Sequence, residues 1–224
     1  MTSLLVAPNT ASTYEWDLVS PAGKGSDPFV LRELSEFRGR ILYAGGRRPR
    51  FRRAGGGYAD DDRLDSRSFH VTARMSGDLV GYLRLRPIPE DSQSFLERLA
   101  TRPQLEAALK EMRLTPNDCL EVSRWIVAPC ARGTAVASTL VVSAHAVGRW
   151  LGKRRLLATV GLRDGQVSML ARFGGQVIHS VDAKFLEEYD DDVALMHFDL
   201  DSPPPRVAEK LDEAGRLLNL CVSV

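Results

Sequence analysis

Glu121-Val122-Ser123-Arg124-Trp125-Ile126-Val127 reads as a buried strand, apolar and β-branched, with a carboxylate and a guanidinium set inside it. A core strand tolerates such charges only when they pair or take part in chemistry. The continuation, Ala128-Pro129-Cys130-Ala131-Arg132-Gly133-Thr134-Ala135-Val136-Ala137, is a small-residue turn that opens into a helix at about Ala135. Backbone N–H groups converge at that helix start, an arrangement that receives a phosphate or pyrophosphate.

Upstream, residues 1–27 are rich in Ser, Thr, Pro and Gly with scattered Tyr14 and Trp16, which predicts a loosely held arm. Next, Phe29, Leu31, Leu34, Phe37, Ile41 and Leu42 recur mostly three and four residues apart, an amphipathic helix over 28–43 with Arg32, Arg38 and Arg40 on its polar face. Residues 44–61 place Arg47, Arg48, Arg50, Arg52 and Arg53 between glycine-rich pieces and run into Asp60-Asp61-Asp62, the composition of a mobile loop. Residues 68–74 and 79–85, joined through Ser76-Gly77-Asp78, predict a hairpin ended by Pro87 and Pro89. A helix over 92–113, broken at Pro103, follows with Phe95, Leu96, Leu99, Leu105, Leu109 and Met112 as its apolar face.

Downstream, residues 135–152 form a long small-residue helix, and a short buried strand over 156–160 follows the basic cluster Arg149, Lys153, Arg154 and Arg155. A helix over 166–173 stops at Gly174-Gly175, strands are expected over 176–179 and 193–199, and a last helix near 206–219 follows Pro203-Pro204-Pro205. No internal repeat interrupts this order. Helix, hairpin, helix, strand, turn, helix and further strands predict one α/β domain over 28–200, with a mixed sheet, helices on both faces and a C-terminal extension over 201–224.

The 224 residues suffice for one domain with a substantial core. A net charge of +1 exerts no global pull toward nucleic acid, so any electrostatic recognition is local. Cys119, Cys130 and Cys221 lack C-x-x-C spacing, and His70, His145, His179 and His197 lack metal-ligand spacing, so neither a disulfide framework, a zinc site nor another metal is expected. Such cysteines are expected to be packing residues in a reducing cytoplasm. No run approaches 18 apolar residues, and no basic and then apolar leader opens the chain, so an untargeted protein without a membrane span is expected.

Three ordered blocks carry a family resemblance. Asp62-Arg63-Leu64-Asp65, Gly81-Tyr82-Leu83-Arg84-Leu85-Arg86-Pro87 and Glu121-Val122-Ser123-Arg124-Trp125 resemble the D-x-x-D, G-x-x-R-L-x-P and E-x-S-R-[FW] blocks of the acyl-homoserine-lactone synthases and the similar N-acyl amino acid synthases. Met169-Leu170-Ala171-Arg172-Phe173-Gly174-Gly175 is similar to the penultimate helix and glycine turn of the wider GNAT superfamily. The resemblance covers roughly residues 30–180 and implies the GNAT fold, a mainly antiparallel twisted sheet whose central strands splay around the pantetheine arm of an acyl thioester. It implies an acyltransferase without a permanent cofactor, its donor being acyl-phosphopantetheine on an acyl carrier protein, or acyl-CoA. Two departures bear on this. Ala135 stands where the superfamily's R-G-x-G-x-[GA] loop has its second glycine, which narrows the approach of a bulky phosphate and favours a carrier-protein donor. The first helix also lacks the tryptophan that follows it in lactone synthases.

Acyl transfer from a thioester to an amine needs a neutral amine, a polarised carbonyl and a protonated leaving thiolate. Glu121 is the candidate to take the amine proton, with burial raising its pKa and Arg124 opposing the rise. A plain strand-edge ion pair is the alternative role for those two residues. Ser123 has no histidine motif or G-x-S-x-G elbow beside it, and its expected role is a hydrogen bond in the site. Backbone N–H groups near Trp125, Ile126 and Val127 would polarise the carbonyl, and Arg132, Gly133, Thr134 and Ala135 would hold the phosphate. The resemblance places Asp62, Asp65, Arg84 and Arg38 in an ionic network around the acceptor, whereas Asp60 and Asp61 read as solvated loop.

Arg149, Lys153, Arg154 and Arg155 suit a helix C-terminus, and they are also candidates to dock an acidic carrier protein. The run from Arg47 to Arg53 has only Phe51 as an interleaved aromatic, which disfavours nucleic acid. The expected activity is N-acylation of an amino acid or peptide amine by a medium or long fatty acyl group, in a monomer or weak dimer. Alternatives are lactone synthesis from S-adenosylmethionine, acetyl-CoA-dependent acetylation of a small molecule, and a non-catalytic acyl-thioester sensor.

Overall fold

The hairpin expected around Ser76-Gly77 forms on a two-residue turn, because both residues adopt positive φ (53° and 85°), the primed-turn geometry that matches strand twist. A computed structural model describes residues 14–21, 27–43, 46, 48–88, 94–187 and 190–220. Its strands are β1 (Glu15–Val19), β2 (Phe69–Met75), β3 (Asp78–Pro87), β4 (Cys119–Val127), β5 (Arg155–Gly161), β6 (Gly175–Val177), β7 (Lys184–Leu186) and β8 (Asp191–Asp199). Its α-helices are α1 (Pro28–Tyr43), α2 (Arg102–Glu111), α3 (Val136–Trp150), α4 (Gln166–Ala171), α5 (Pro205–Ala208) and α6 (Leu211–Leu217).

One sheet runs in the order β1-β2-β3-β4-β5-β8-β6, with β7 also on β8. All its pairings are antiparallel except β4 with β5, which α3 connects as a crossover. That parallel pair holds register only from Cys119↔Arg155 to Val122↔Ala158; beyond it both strands continue unpaired to one another, and the sheet splays.

Helices cover both faces. Along β3 the odd positions face α3: a Cβ on Gly81 would lie 2.6 Å from Val136 Cγ1, so only glycine lets α3 approach there. The even positions Tyr82 and Arg84 lie on the α1 side, where Arg38 reaches the Tyr82 hydroxyl. One apolar cluster joins Val71, Leu83, Leu85, Leu140 and Leu156 beneath α3. A second joins Leu96, Leu105, Leu109, Cys119, Leu157 and Leu195 beneath α2.

Several expectations change. Part of the presumed N-terminal arm is β1, paired with β2 from Glu15↔Arg74 to Val19↔His70, so the hairpin edge is covered. Residues 1–13 and 22–26 of that arm, along with Arg47, Pro89 and Cys221, lie outside the described residues. Between Arg48 and Asp61 the presumed mobile loop packs against α1: a 3₁₀ turn at Pro49–Phe51 buries Phe51, Ala59 N–H donates to Phe51 C=O, and Asp60 N–H donates to Ser35 C=O. The helix expected over 92–113 divides into a 3₁₀ turn (Phe95–Arg98) capped by Ser94 and α2 capped by Thr101, so Pro103 sits in the first turn of α2, where a missing N–H is harmless. The last helix likewise divides into α5 and α6.

Candidate active site

β4 bulges where it leaves β5. Arg84 pairs with Ser123 and Tyr82 with Ile126, so Leu83 alone faces both Arg124 and Trp125. Arg124 has φ +56°, the left-handed region that a non-glycine residue enters at a cost, and such strain gathers at functional sites. The bulge turns the strand's backbone toward a cavity of about 590 Å³ held between the diverging strands. Its apolar wall includes Val122, Trp125, Ile126, Leu156, Ala158 and Phe198 with Val141 and Ala144 of α3. Polar groups line it too: Arg132, Thr159, Asp164, Gln166 and Asp191, and, from the packed loop, Arg48 and Arg50 beside Phe51.

Arg124 belongs to a set of three arginines and three aspartates that interlock. Arg38 Nε donates to Asp60 Oδ2 at 3.0 Å and its Nη2 to Asp65 Oδ2 at 2.5 Å. Arg84 Nη1 donates to Asp62 Oδ2 at 2.8 Å and Asp65 Oδ1 at 2.9 Å, while its Nε donates to Ser123 Oγ at 3.0 Å. Arg124 completes the set with an ion pair to Asp60 at 2.6 Å and a longer one to Asp62 at 3.5 Å. Arg38 and Arg84 are fully buried, so the network is a foundation that fixes Arg124 and Ser123, the members that line the cavity.

The charges hold one another in their ionised forms. Burial alone would raise the Asp62 carboxyl, but Arg84, the Leu64 N–H and Arg124 hold it at about 2. Burial also opposes the Arg38 and Arg84 charges, and the neighbouring Tyr82 and aspartates overcome it, so both guanidiniums are more firmly protonated than usual. His70 is pushed down to about 4 by burial, which leaves it neutral. Its Nε2–H then donates to the Asp65 carbonyl at 2.9 Å, and its Nδ1 accepts from the Tyr82 hydroxyl at 2.8 Å. Tyr82 in turn accepts from Arg38 Nη1, and burial lifts its phenol to about 12.

Glu121 lies on the same sheet face as Ser123, one pleat away, opposite Arg86 in register. It is 1% exposed and does not line the cavity. Ser94 Oγ donates to Glu121 Oε2 at 2.6 Å while accepting from Leu96 N–H, so one serine both caps the 3₁₀ turn and orients the carboxylate. The indole N–H of Trp125 and Nη2 of Arg84 are buried donors without an acceptor among the described residues.

The structure thus brings Arg38, Asp62, Asp65, Arg84, Ser123 and Arg124 together, and it places Trp125, Ile126, Val127 and Arg132 on the cavity wall. Gly133, Thr134 and Ala135 stand at the start of α3 outside the lining. There Gly133 has φ +78°, and Thr134 Oγ1 donates to Ala131 C=O at 2.7 Å and accepts from Val136 N–H at 3.3 Å. Asp60, expected to be solvated, is instead 5% exposed and ties Arg38 to Arg124, because Ala59 docks on Gly39 and draws the loop inward. Asp61 remains exposed, bonded to Ser35 and Arg53. Cys119 is buried, with its thiol pushed up to about 12 by burial, whereas Cys130 is exposed rather than packed.

The basic cluster is not at this site. Arg149 in the last turn of α3 and Lys153, Arg154 and Arg155 just beyond it lie about 20 Å from the turn at its start, given a rise of about 1.5 Å per residue. Arg154 pairs with Asp201, Arg155 with Asp199 and Asp201, Lys153 donates to the Asn117 carbonyl, and Arg149 to the Leu200 carbonyl. Four cations thus face two carboxylates, Asp199 and Asp201, and two backbone carbonyls.

In sequence, neither a family model nor a curated protein matches the chain. In structure the likeness is extensive. BjaI, a CoA-dependent acyl-homoserine lactone synthase solved with SAM and isopentyl-CoA, superposes with a TM-score of 0.66 over 90% of each chain at 18% identity.

The fold is that of the acyl-homoserine-lactone synthases.

MesI, another CoA-dependent lactone synthase, shares this fold at a TM-score of 0.62 and 20% identity, over 89% of this chain and 94% of its own. Escherichia coli ElaA superposes at 0.56 and 15% identity, over 83% and 99%. No helix among the described residues is long and apolar enough to cross a membrane.

Proposed function

We propose that this chain is an N-acyltransferase that moves a medium or long acyl group from a phosphopantetheine thioester to a primary amine by direct attack. The observation that carries this reading is the strained bulge at Arg124 opening on the cavity of the splay. In this reading the bulge's backbone N–H groups polarise the thioester carbonyl, which lies against β4 while the acyl chain occupies the apolar wall. A volume of about 590 Å³ holds on the order of 20 water-sized groups, far more than an acetyl needs.

A covalent enzyme intermediate finds no support in the local chemistry. Cys119 is buried with a thiol that stays protonated at neutral pH, and Ser123 accepts from Arg84 rather than facing a histidine. Glu121, held in place by Ser94, then takes the proton that the attacking amine loses, through a bridging water, and that proton passes to the departing thiolate as the C–S bond breaks. Arg124 fixes the geometry on which the attack depends.

Both coenzyme A and an acyl carrier protein present the required arm. Docking of an acidic carrier protein by Arg149, Lys153, Arg154 and Arg155 belongs to this reading as well, because four cations there face only Asp199 and Asp201. The test is to incubate purified protein with acyl-CoA and acyl carrier protein donors of graded chain length and a panel of amines. Free thiol and amide are then followed by absorbance and mass spectrometry. Amine-dependent thiol release with a matching amide supports the reading; methylthioadenosine release from S-adenosylmethionine would redirect it to lactone synthesis.

A further inference from the structure

The two faces of the sheet give the cavity two different walls. Glu121 and Ser123 pair in register with Arg86 and Arg84, so they share the side of the sheet that α1 covers, while α3 packs on the opposite face. In the acyl-transfer reading, on which this inference rests, the donor follows α3, and the amine reaches the thioester from the face that carries its proton acceptor, Glu121. On that face α1 contributes Ile41 and Leu42 to the cavity, and the packed loop contributes Phe51. The cations of the same wall are already engaged. Arg48 and Arg50 have partners within the protein, Arg50 over the Phe51 ring at 4.6 Å, and Arg124 is paired with Asp60 and Asp62, so none of the three calls for an anion.

What this wall offers a ligand is apolar surface. Ile41 and Leu42 pack against the main apolar cluster yet remain only partly buried, and buried Phe51 lines the same cavity. Removing such surface from water favours a ligand that is itself apolar, whatever its charge. We infer that the acceptor is a primary amine with an apolar body, branched aliphatic or aromatic, that packs on Ile41, Leu42 and Phe51, and that this contact rather than charge selects the amine. The space suffices: of the roughly 20 water-sized groups that 590 Å³ holds, an acyl chain of about ten carbons leaves room for about ten more. The position of the contact also serves the chemistry, because a body held against α1 presents its amine on the side of β4 where Ser94 orients Glu121.

Direct binding to the full chain, measured by calorimetry without donor, tests this independently of turnover. The probes are α-amino amides of equal charge, leucinamide against asparaginamide and phenylalaninamide against glycinamide, together with S-adenosylmethionine. Burying a leucine or phenylalanine side chain is worth roughly ten- to a hundredfold in affinity, so the apolar member of at least one pair is expected to bind about tenfold or more tighter than its counterpart. The pair that discriminates more tells a branched from an aromatic body. Leu42→Gln should abolish most of that preference and Leu42→Met should keep it, both variants giving the wild-type circular dichroism spectrum, because Leu42 is only partly buried and both replacements suit a helix. Equal affinity within both pairs, no binding of any probe, tighter binding of S-adenosylmethionine than of either apolar amide, or an unchanged preference in Leu42→Gln would each overturn the inference. A preference lost in Ala158→Leu but kept in Leu42→Gln would put the apolar body on the acyl wall and overturn it too. Amine-dependent thiol release, scored separately, decides the acyl-transfer reading, so the two failures are told apart.

Discussion

Gly39→Ala sets helix propensity against close packing. Alanine in the interior of α1 favours the helix by about 1 kcal/mol over glycine. The added Cβ, however, would stand 2.3 to 2.5 Å from the backbone N, Cα and C of Ala59, atoms that no rotamer change moves. Ordinary contact begins at 3.4 Å, so the loop would have to retreat by roughly 1 Å in a packed interior. Asp60 follows Ala59, and that retreat would draw it from Arg38 at 3.0 Å and from Arg124 at 2.6 Å. Separating one partner from a buried charge set costs about 3–5 kcal/mol. Net of the propensity gain, a loss of about 2–4 kcal/mol is expected, and at roughly 2–4 °C per kcal/mol for a chain of this size the melting temperature falls by about 5–15 °C. Thermal denaturation followed by circular dichroism reads this directly. A melting temperature equal to or above that of the wild type would refute both the docking of the loop on α1 and the place of Asp60 beneath Arg124.

Further outcomes follow from the same geometry. Glu121→Gln should lower turnover on the order of a hundredfold with donor affinity intact, and Ser94→Ala should lower it by about tenfold, measured as kcat with saturating amine. Ala158→Leu fills the apolar wall of the cavity and should shift the preferred donor to a shorter acyl chain, read by competition between acyl-CoA chain lengths. The stability curve against pH should fall in two stages. His70 binds its proton near 6.5 when unfolded and near 4 when folded, so about 3 kcal/mol present above pH 6.5 is lost as pH drops toward 4. Asp62, held at about 2 against 3.8, adds about 2 kcal/mol above pH 4 that is lost as pH drops toward 2. Urea titrations across pH check both, and His70→Gln should flatten the upper stage alone.

The hairpin and β4 were legible because their signals are local: a Ser-Gly turn, β-branched alternation and a charge pair in an apolar run. β1 was not, since Glu15-Trp16-Asp17-Leu18-Val19 is short and becomes a strand only by pairing with β2. Phe51 is the one apolar side chain among five arginines, and only the contact of Ala59 with Gly39 explains why that segment packs. In an Asp60-Asp61-Asp62 run the chemistry of the three is identical; the fold alone decides that Asp60 and Asp62 turn inward and Asp61 outward. A period-two signal for Tyr82 did exist, since it alternates with Arg84 and Arg86 along β3. The basic cluster was visible too, but its counter-charges Asp199 and Asp201 arrive more than forty residues later.

Thiol release from an acyl-CoA of medium chain length, with and without a panel of primary amines, tests the central claim most directly. Amine-dependent release matched one to one by amide in the mass spectrum, and reduced about a hundredfold in Glu121→Gln, is the predicted result. Tight binding of the acyl-CoA with no amine-dependent release from any member of the panel would contradict it.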